Sequence, residues 1–131
     1  MNILFPLALG VSLTASVALA NPPLREVTHV REGLITAGMA IELDDNCDDV
    51  SVRLLRGLMF LSGLKRHASG LGYSDSAIDA YVDDDVEKAR LEAIARARLV
   101  ELGTVTGQSE SYCTVARAQI SQGTPAGRLL R

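Results

Sequence analysis

Residues 48–69 read DDVSVRLLRGLMFLSGLKRHAS, and this stretch decides the fold class. Leu54, Leu55, Leu58, Met59, Leu61 and Leu64, with Phe60, recur at steps of one, three and four, which is helical spacing. Together they cover nearly the whole circumference, and a helix that is apolar all round belongs at the centre of a bundle. Asn46 is a good N-cap, and Asp48 and Asp49 fall in the first turn, where carboxylates favour the helix dipole. Lys65, Arg66 and His67 crowd the last turn, the favoured end for cations, and Gly70 and Gly72 supply the stop. The spacing therefore predicts a central helix over 48–69.

Outward from it, four more helical segments appear. Val30, Leu34, Ala37 and Ile41 share one face of a helix over 27–43. Gly33 and Gly38 weaken that helix or let another approach it closely. Ser74 caps a short helix over 75–82, with Ile78, Tyr81 and Val82 expected inside. Asp84 and Glu87 resemble a capping box at the start of a helix over 85–102, along which Ala89, Ala93, Ala97 and Val100 form a small-residue face. Ser109 is expected to cap a last helix over 110–122, ended by Gly123. No segment alternates with period two for long, so no strand is expected. The reading is all-α: a small antiparallel bundle of about five helices in a single domain over 21–131, with a short tail from about 123.

The first twenty residues stand apart. Residues 2–20 carry no charged side chain, Ile3 to Leu13 is an apolar run, and Ala18-Leu19-Ala20 ends it in a small-x-small pattern. That predicts a secretory signal peptide over 1–20, and hence a secreted, periplasmic protein with no membrane span after cleavage. The first positions depart from the pattern, having no Lys or Arg. An exported chain meets an oxidising compartment, so the only two cysteines, Cys47 and Cys113, are read as a disulfide. A free or intermolecular thiol, or a metal site, are the alternatives. With Cys47 at the start of the 48–69 helix, the bridge is expected to tie two helix N-termini. Closing so long a loop removes about 4 kcal/mol of unfolded-chain entropy on the simple model.

Composition narrows the function classes. The chain has 131 residues with 13 basic and 16 acidic side chains, for a formal net charge of −3. That average offers no electrostatic case for nucleic acid or an anionic membrane surface. There is no Trp, and aromatics make up only 4%, too few for a base-stacking platform. The acidic run Asp44-Asp45-Asn46-Cys47-Asp48-Asp49 fails the calcium-loop template, with Asp49 where glycine is needed and Leu55 where glutamate is needed. Gly107-Gln108-Ser109 lacks the closing glycine of a nucleophile elbow and has no preceding strand. His29 and His67 have no Ser, Cys or carboxylate partner in a recognisable motif. We therefore expect no catalytic residues, no metal and no cofactor. The tail Arg128-Leu129-Leu130-Arg131 must dock its leucines either on the bundle or on a partner, and these four residues are the candidate partner-binding set.

Several residues together carry a resemblance. They are Cys47 with Arg53, Gly72-Tyr73-Ser74, Ala80-Tyr81, Glu87-Lys88-Ala89-Arg90, Ser111-Tyr112-Cys113, and the Gly127-Arg128-Leu129-Leu130 tail. The chain from about Cys47 to Arg131 resembles a family of small exported proteobacterial proteins classed as a domain of unknown function. The resemblance implies a signal peptide, a cysteine pair and helical structure, and no established activity. Some relatives carry an automatic label as the NADH dehydrogenase component that holds a two-iron cluster. Such a cluster takes four cysteine ligands, whereas this chain has two cysteines. Iron–sulfur electron transfer is therefore not expected, while an accessory role near a respiratory complex is compatible with the label.

The functional expectation is a non-catalytic periplasmic binding or accessory protein with a protein partner, contacting it through the tail and any exposed part of the 48–69 helix. The alternative is an acid-stress holdase chaperone: below about pH 3 the carboxylates are protonated and the chain becomes strongly cationic.

Overall fold

The computed structural model describes residues 20–131, so the expected signal peptide, apart from Ala20, lies outside the described residues. Among the described residues there are five α-helices: α1 (Thr28–Asn46), α2 (Leu54–Gly70), α3 (Asp75–Val82), α4 (Asp85–Leu102) and α5 (Ser109–Gln122). Single 3₁₀ turns lie at Leu24–Glu26 and Gly127–Leu129. No strand forms among these residues, only an isolated antiparallel bridge between Val52 and Leu130. The all-α, five-helix expectation holds.

The ends of α3 and α4 follow from local chemistry. The Ser74 hydroxyl accepts the Ala77 N–H, and the Asp84 carboxylate accepts the Glu87 N–H. Ser109 is not a cap; it sits inside the first turn of α5. Ser111 ties that corner instead, its hydroxyl accepting the Val105 N–H at 2.8 Å and donating to the Gln108 carbonyl at 2.6 Å. Ile78 is buried and Tyr81 half-buried as expected, but Val82 is exposed. The face of α4 made by Ala89, Ala93, Ala97 and Val100 points to solvent, and Ala95 and Leu99 are the residues it buries.

The central helix is α1, not α2. From Val30 to Ala40 no residue of α1 is exposed. It packs against α4, α2 and α5 and touches both 3₁₀ turns. Glycine makes this possible on two sides. A Cβ at Gly33 would stand 2.5 Å from Cδ2 of Leu64 on α2, and one at Gly38 would stand 3.3 Å from Cβ of Ala95 on α4. Both neighbours therefore approach closer than larger residues allow. In α2 only Leu64 and Ala68 are buried among its apolar residues. The expectation of a buried central helix over 48–69 is thus overturned, because the small residues of α1 decide which helix is surrounded.

Residues 47–53 are also not helical. The Asn46 side chain donates to the Glu42 carbonyl at 2.8 Å, so Asn46 closes α1 and does not open the next helix. Cys47 follows in extended conformation. Asp44 accepts the Val52 N–H at 2.9 Å, Val50 is buried, and Ser51 pairs with Arg131 through both backbone groups. The alternating Val50-Ser51-Val52 suits this extended strap. The Cys47–Cys113 disulfide is present, with Cα atoms 5.1 Å apart. It joins the end of α1 to the beginning of α5, which corrects the expected link between two N-termini. One core surrounds it, built from Leu43, Leu99, Tyr112, Ala116 and Leu130 among others. A second lies toward the other end of α1, around Leu24, Val30, Ala68 and Ile78.

Candidate functional site

The C-terminal tail is tied down by main-chain and side-chain bonds. The Arg53 N–H donates to the Leu129 carbonyl at 2.7 Å, and Ser51 and Arg131 exchange bonds of 2.9 and 3.0 Å. The Arg53 Nε donates to the Leu130 carbonyl at 3.0 Å, and Arg56 Nη1 to the Arg128 carbonyl at 3.1 Å. Leu129 and Leu130 are buried, at 4% and 1% exposure. Of the candidate partner-binding set, these two leucines are therefore core residues, because the strap 50–53 gives their backbone a partner. Arg128 keeps an exposed side chain, as does Arg131.

A cluster of open apolar side chains lies on α2. Leu54, Leu55, Leu58 and Met59 are all more than half exposed, Leu54 and Leu55 at 73% and 72%. A large apolar patch on a small protein marks a contact surface. Leu58 and Leu61 border two adjoining grooves beside α1. One, of about 530 Å³, runs toward Ile78 and Tyr81, and the other, of about 310 Å³, toward Ile41 and Val52. On the other side, Leu55 and Met59 lie with Arg53, Arg56 and Arg131 around a shallow hollow. No helix among the described residues is long and apolar enough to cross a membrane.

Sequence reasoning named the tail and an exposed part of the 48–69 helix, and the structure joins them into one surface. It did not name Arg53 or Arg56 as part of that surface. The available signal was an Arg pair three residues apart in an otherwise apolar helix start.

The remaining chemistry-bearing residues come together as structure. His29 and His67 are exposed and lie tilted against each other, ring centroids 4.3 Å apart and planes 47° apart. Cys47, Cys113 and Asp49 lie close together, but both sulfurs are bonded to each other, so neither offers a thiolate. Asp49 instead pairs with Arg117 at 3.0 Å, as does Glu110 at 3.2 Å. Arg98 clamps Glu32 across α1 and α4 at 2.6 and 3.2 Å, and hydrogen bonding to Arg98 holds the Glu32 carboxyl below its usual range. Glu87 is held low in the same way by Arg90 and then Arg25. The Tyr81 hydroxyl is buried without a hydrogen-bond partner among the described residues, and desolvation, with the nearby Glu87 charge, raises its pKa.

Comparison with known proteins places most of the chain. A family model described as a family of unknown function (DUF5333) matches residues 22–131. No curated protein and no solved structure matches the chain.

Proposed function

The chain belongs to that family of unknown function, and we propose that it is a non-catalytic accessory protein of the periplasm, exported by its N-terminal leader, that docks through the exposed apolar half of α2. The observation that carries this reading is the run of open side chains from Leu54 to Met59 on a helix whose far end is anchored by Leu64 and Ala68. Burial of such side chains on a partner contributes about 1.5–3 kcal/mol each before the costs of association. A disulfide is the product expected of an oxidising compartment, which supports export.

The test is retention of the tagged chain by its own cell envelope, periplasm and membranes together. The wild type is expected to be retained, and a Leu55→Ser/Met59→Ser variant lost with an unchanged thermal melt. Equal retention of the two removes the reading.

The same exposed leucines favour a second reading, the acid-stress holdase. Acid removes the Glu32 and Glu87 ion pairs that hold α1, α4 and the first turn together. The disulfide then limits expansion. Suppression of client aggregation at about pH 2–3, where carboxylates are protonated, supports it. A result no better than that of an inert protein ends it.

A further inference from the structure

We propose that the start of α2 and the docked tail form a peripheral binding surface for an anionic phospholipid bilayer, with Leu54, Leu55 and Met59 entering the headgroup boundary and Arg53, Arg56, Arg128 and Arg131 gripping lipid phosphates. This rests on the docking reading of α2 and names its partner.

Charge complementarity carries it. Two shallow hollows share Arg56 and Met59, and together they hold all four arginines and no acidic residue. Among the described residues none of the four lies within ion-pair distance of a carboxylate, whereas Arg25, Arg31, Arg90, Arg98 and Arg117 each do. Asp44, which borders the neighbouring groove beside Leu54, is turned onto the Val52 N–H.

The guanidiniums are held in place by neutral acceptors. Arg53 donates to the Leu130 carbonyl, Arg56 to the Arg128 carbonyl, Arg128 to the Gly123 carbonyl at 2.9 Å, and Arg131 to the Ser51 hydroxyl at 3.3 Å. A carbonyl orients a guanidinium without neutralising it, and each fork keeps further N–H groups for a phosphate. The shape separates a bilayer from an acidic peptide. A bound peptide helix needs a concave groove to receive its side chains, and the grooves beside α1 are lined by none of the four arginines. Here Leu54, Leu55 and Met59 stand 73%, 72% and 64% exposed, projecting between the cations. Apolar side chains beside arginines are the pattern of interfacial binding, in which the apolar part sinks to the acyl boundary and the cations meet headgroups.

The experiment is vesicle flotation of the protein as recovered from its own cell envelope. Vesicles of phosphatidylcholine alone are compared with vesicles of equal parts phosphatidylcholine and phosphatidylglycerol. Binding is expected to the anionic vesicles and not to the neutral ones, and to fall as salt rises. Residues 2–20 carry no charged side chain, so selectivity for anionic lipid does not originate in them. Arg56→Gln is expected to weaken partition about fivefold, and Arg56→Gln/Arg131→Gln about thirtyfold. Leu55→Ser/Met59→Ser is expected to weaken it by about tenfold or more while the melt stays unchanged.

Equal binding to both vesicle types, no binding to either, or partition indifferent to the arginine variants overturns the proposal. Saturable binding to an acidic amphipathic peptide without vesicle binding overturns it too and assigns the face to a protein. If vesicles fail but envelope retention still depends on Leu55 and Met59, the docking reading stands and only the bilayer falls.

Discussion

Gly127→Ala is expected to be the most damaging single-methyl change in the protein. The φ of Gly127 is not positive, so its backbone suits alanine and the whole cost is contact. A Cβ there would overlap the Gln119 carbonyl and stand 2.8 Å from the Ile120 nitrogen. These are main-chain atoms of α5, and no rotamer change moves them. The turn Gly127–Leu129 must lift, and the residues it carries lift with it. Burial of Leu129 and Leu130 stabilises by about 1.5–3 kcal/mol each. The backbone bonds from Ser51 and Arg53 to the tail contribute about 1 kcal/mol apiece. Full undocking would cost about 6–9 kcal/mol, so a partial lift should cost about 3 kcal/mol or more. Urea unfolding followed by far-UV circular dichroism measures it. Two controls bracket the effect. At Gly70 a Cβ meets nothing within 4 Å, and Gly70→Ala should be close to neutral. Gly123 has equally open space but a φ of +61°, so Gly123→Ala should cost about 1–2 kcal/mol from the left-handed backbone alone. A Gly127→Ala midpoint equal to that of Gly123→Ala would refute the claim that the tail is wedged against α5.

Other outcomes follow from the same packing. Replacing both Cys47 and Cys113 with Ala should lower stability by about 4 kcal/mol, since the bridge spans a sequence separation of 66; an unchanged urea midpoint would show that the unfolded chain is not what the bridge restrains. Leu130→Ala should cost about 2–5 kcal/mol, whereas Leu55→Ser, at an exposed site, should stay within about 0.5 kcal/mol. Thermal melts of the pair distinguish core from contact surface. Glu32 and Glu87 have carboxyls lowered by Arg98 and by Arg90 with Arg25, so the folded state binds fewer protons than the unfolded one. Their contribution is complete above about pH 4.3 and is lost as the pH falls through the lowered folded values. Glu32→Gln should therefore destabilise by less than about 1 kcal/mol at neutral pH, the pair being partly exposed, and the difference from wild type should shrink as the pH falls below the ordinary glutamate range.

What the sequence made legible was whatever is decided within a few residues. Ser74 and Asp84 announce α3 and α4 because a cap bonds to the backbone three residues on. The cysteine pair was legible because only one intramolecular pairing exists. Residues 47–53 were not legible. Their partner is the tail, and a pairing between Ser51 and Arg131 leaves no mark in a local window. The place of α2 was misread for a related reason. Apolarity all round argues for the centre only if other helices can surround it. The deciding residues were Gly33 and Gly38 on a different helix, where the absence of a side chain, not the presence of one, sets the approach.

Net charge is likewise an average over the whole chain. The formal −3 is accurate for the chain, yet its carboxylates are not spread evenly around its cations. Glu32, Asp49, Glu87 and Glu110 are spent on Arg98, Arg117, Arg90 and Arg25. Those pairs cancel locally and contribute little field at a distance. The arginines of the strap and tail bond to carbonyls and a hydroxyl, which carry no charge to cancel. An approaching anion therefore meets a cationic face on an acidic protein. The quantity that governs docking is the charge within about a Debye length of the exposed leucines, roughly 8–10 Å at ordinary salt. The docked tail brings Arg128 and Arg131 beside Arg53 and Arg56, next to Leu55 and Met59. Tail docking and surface charge are thus one feature: lifting Leu129 and Leu130 from the core would both destabilise the bundle and disperse the cationic face.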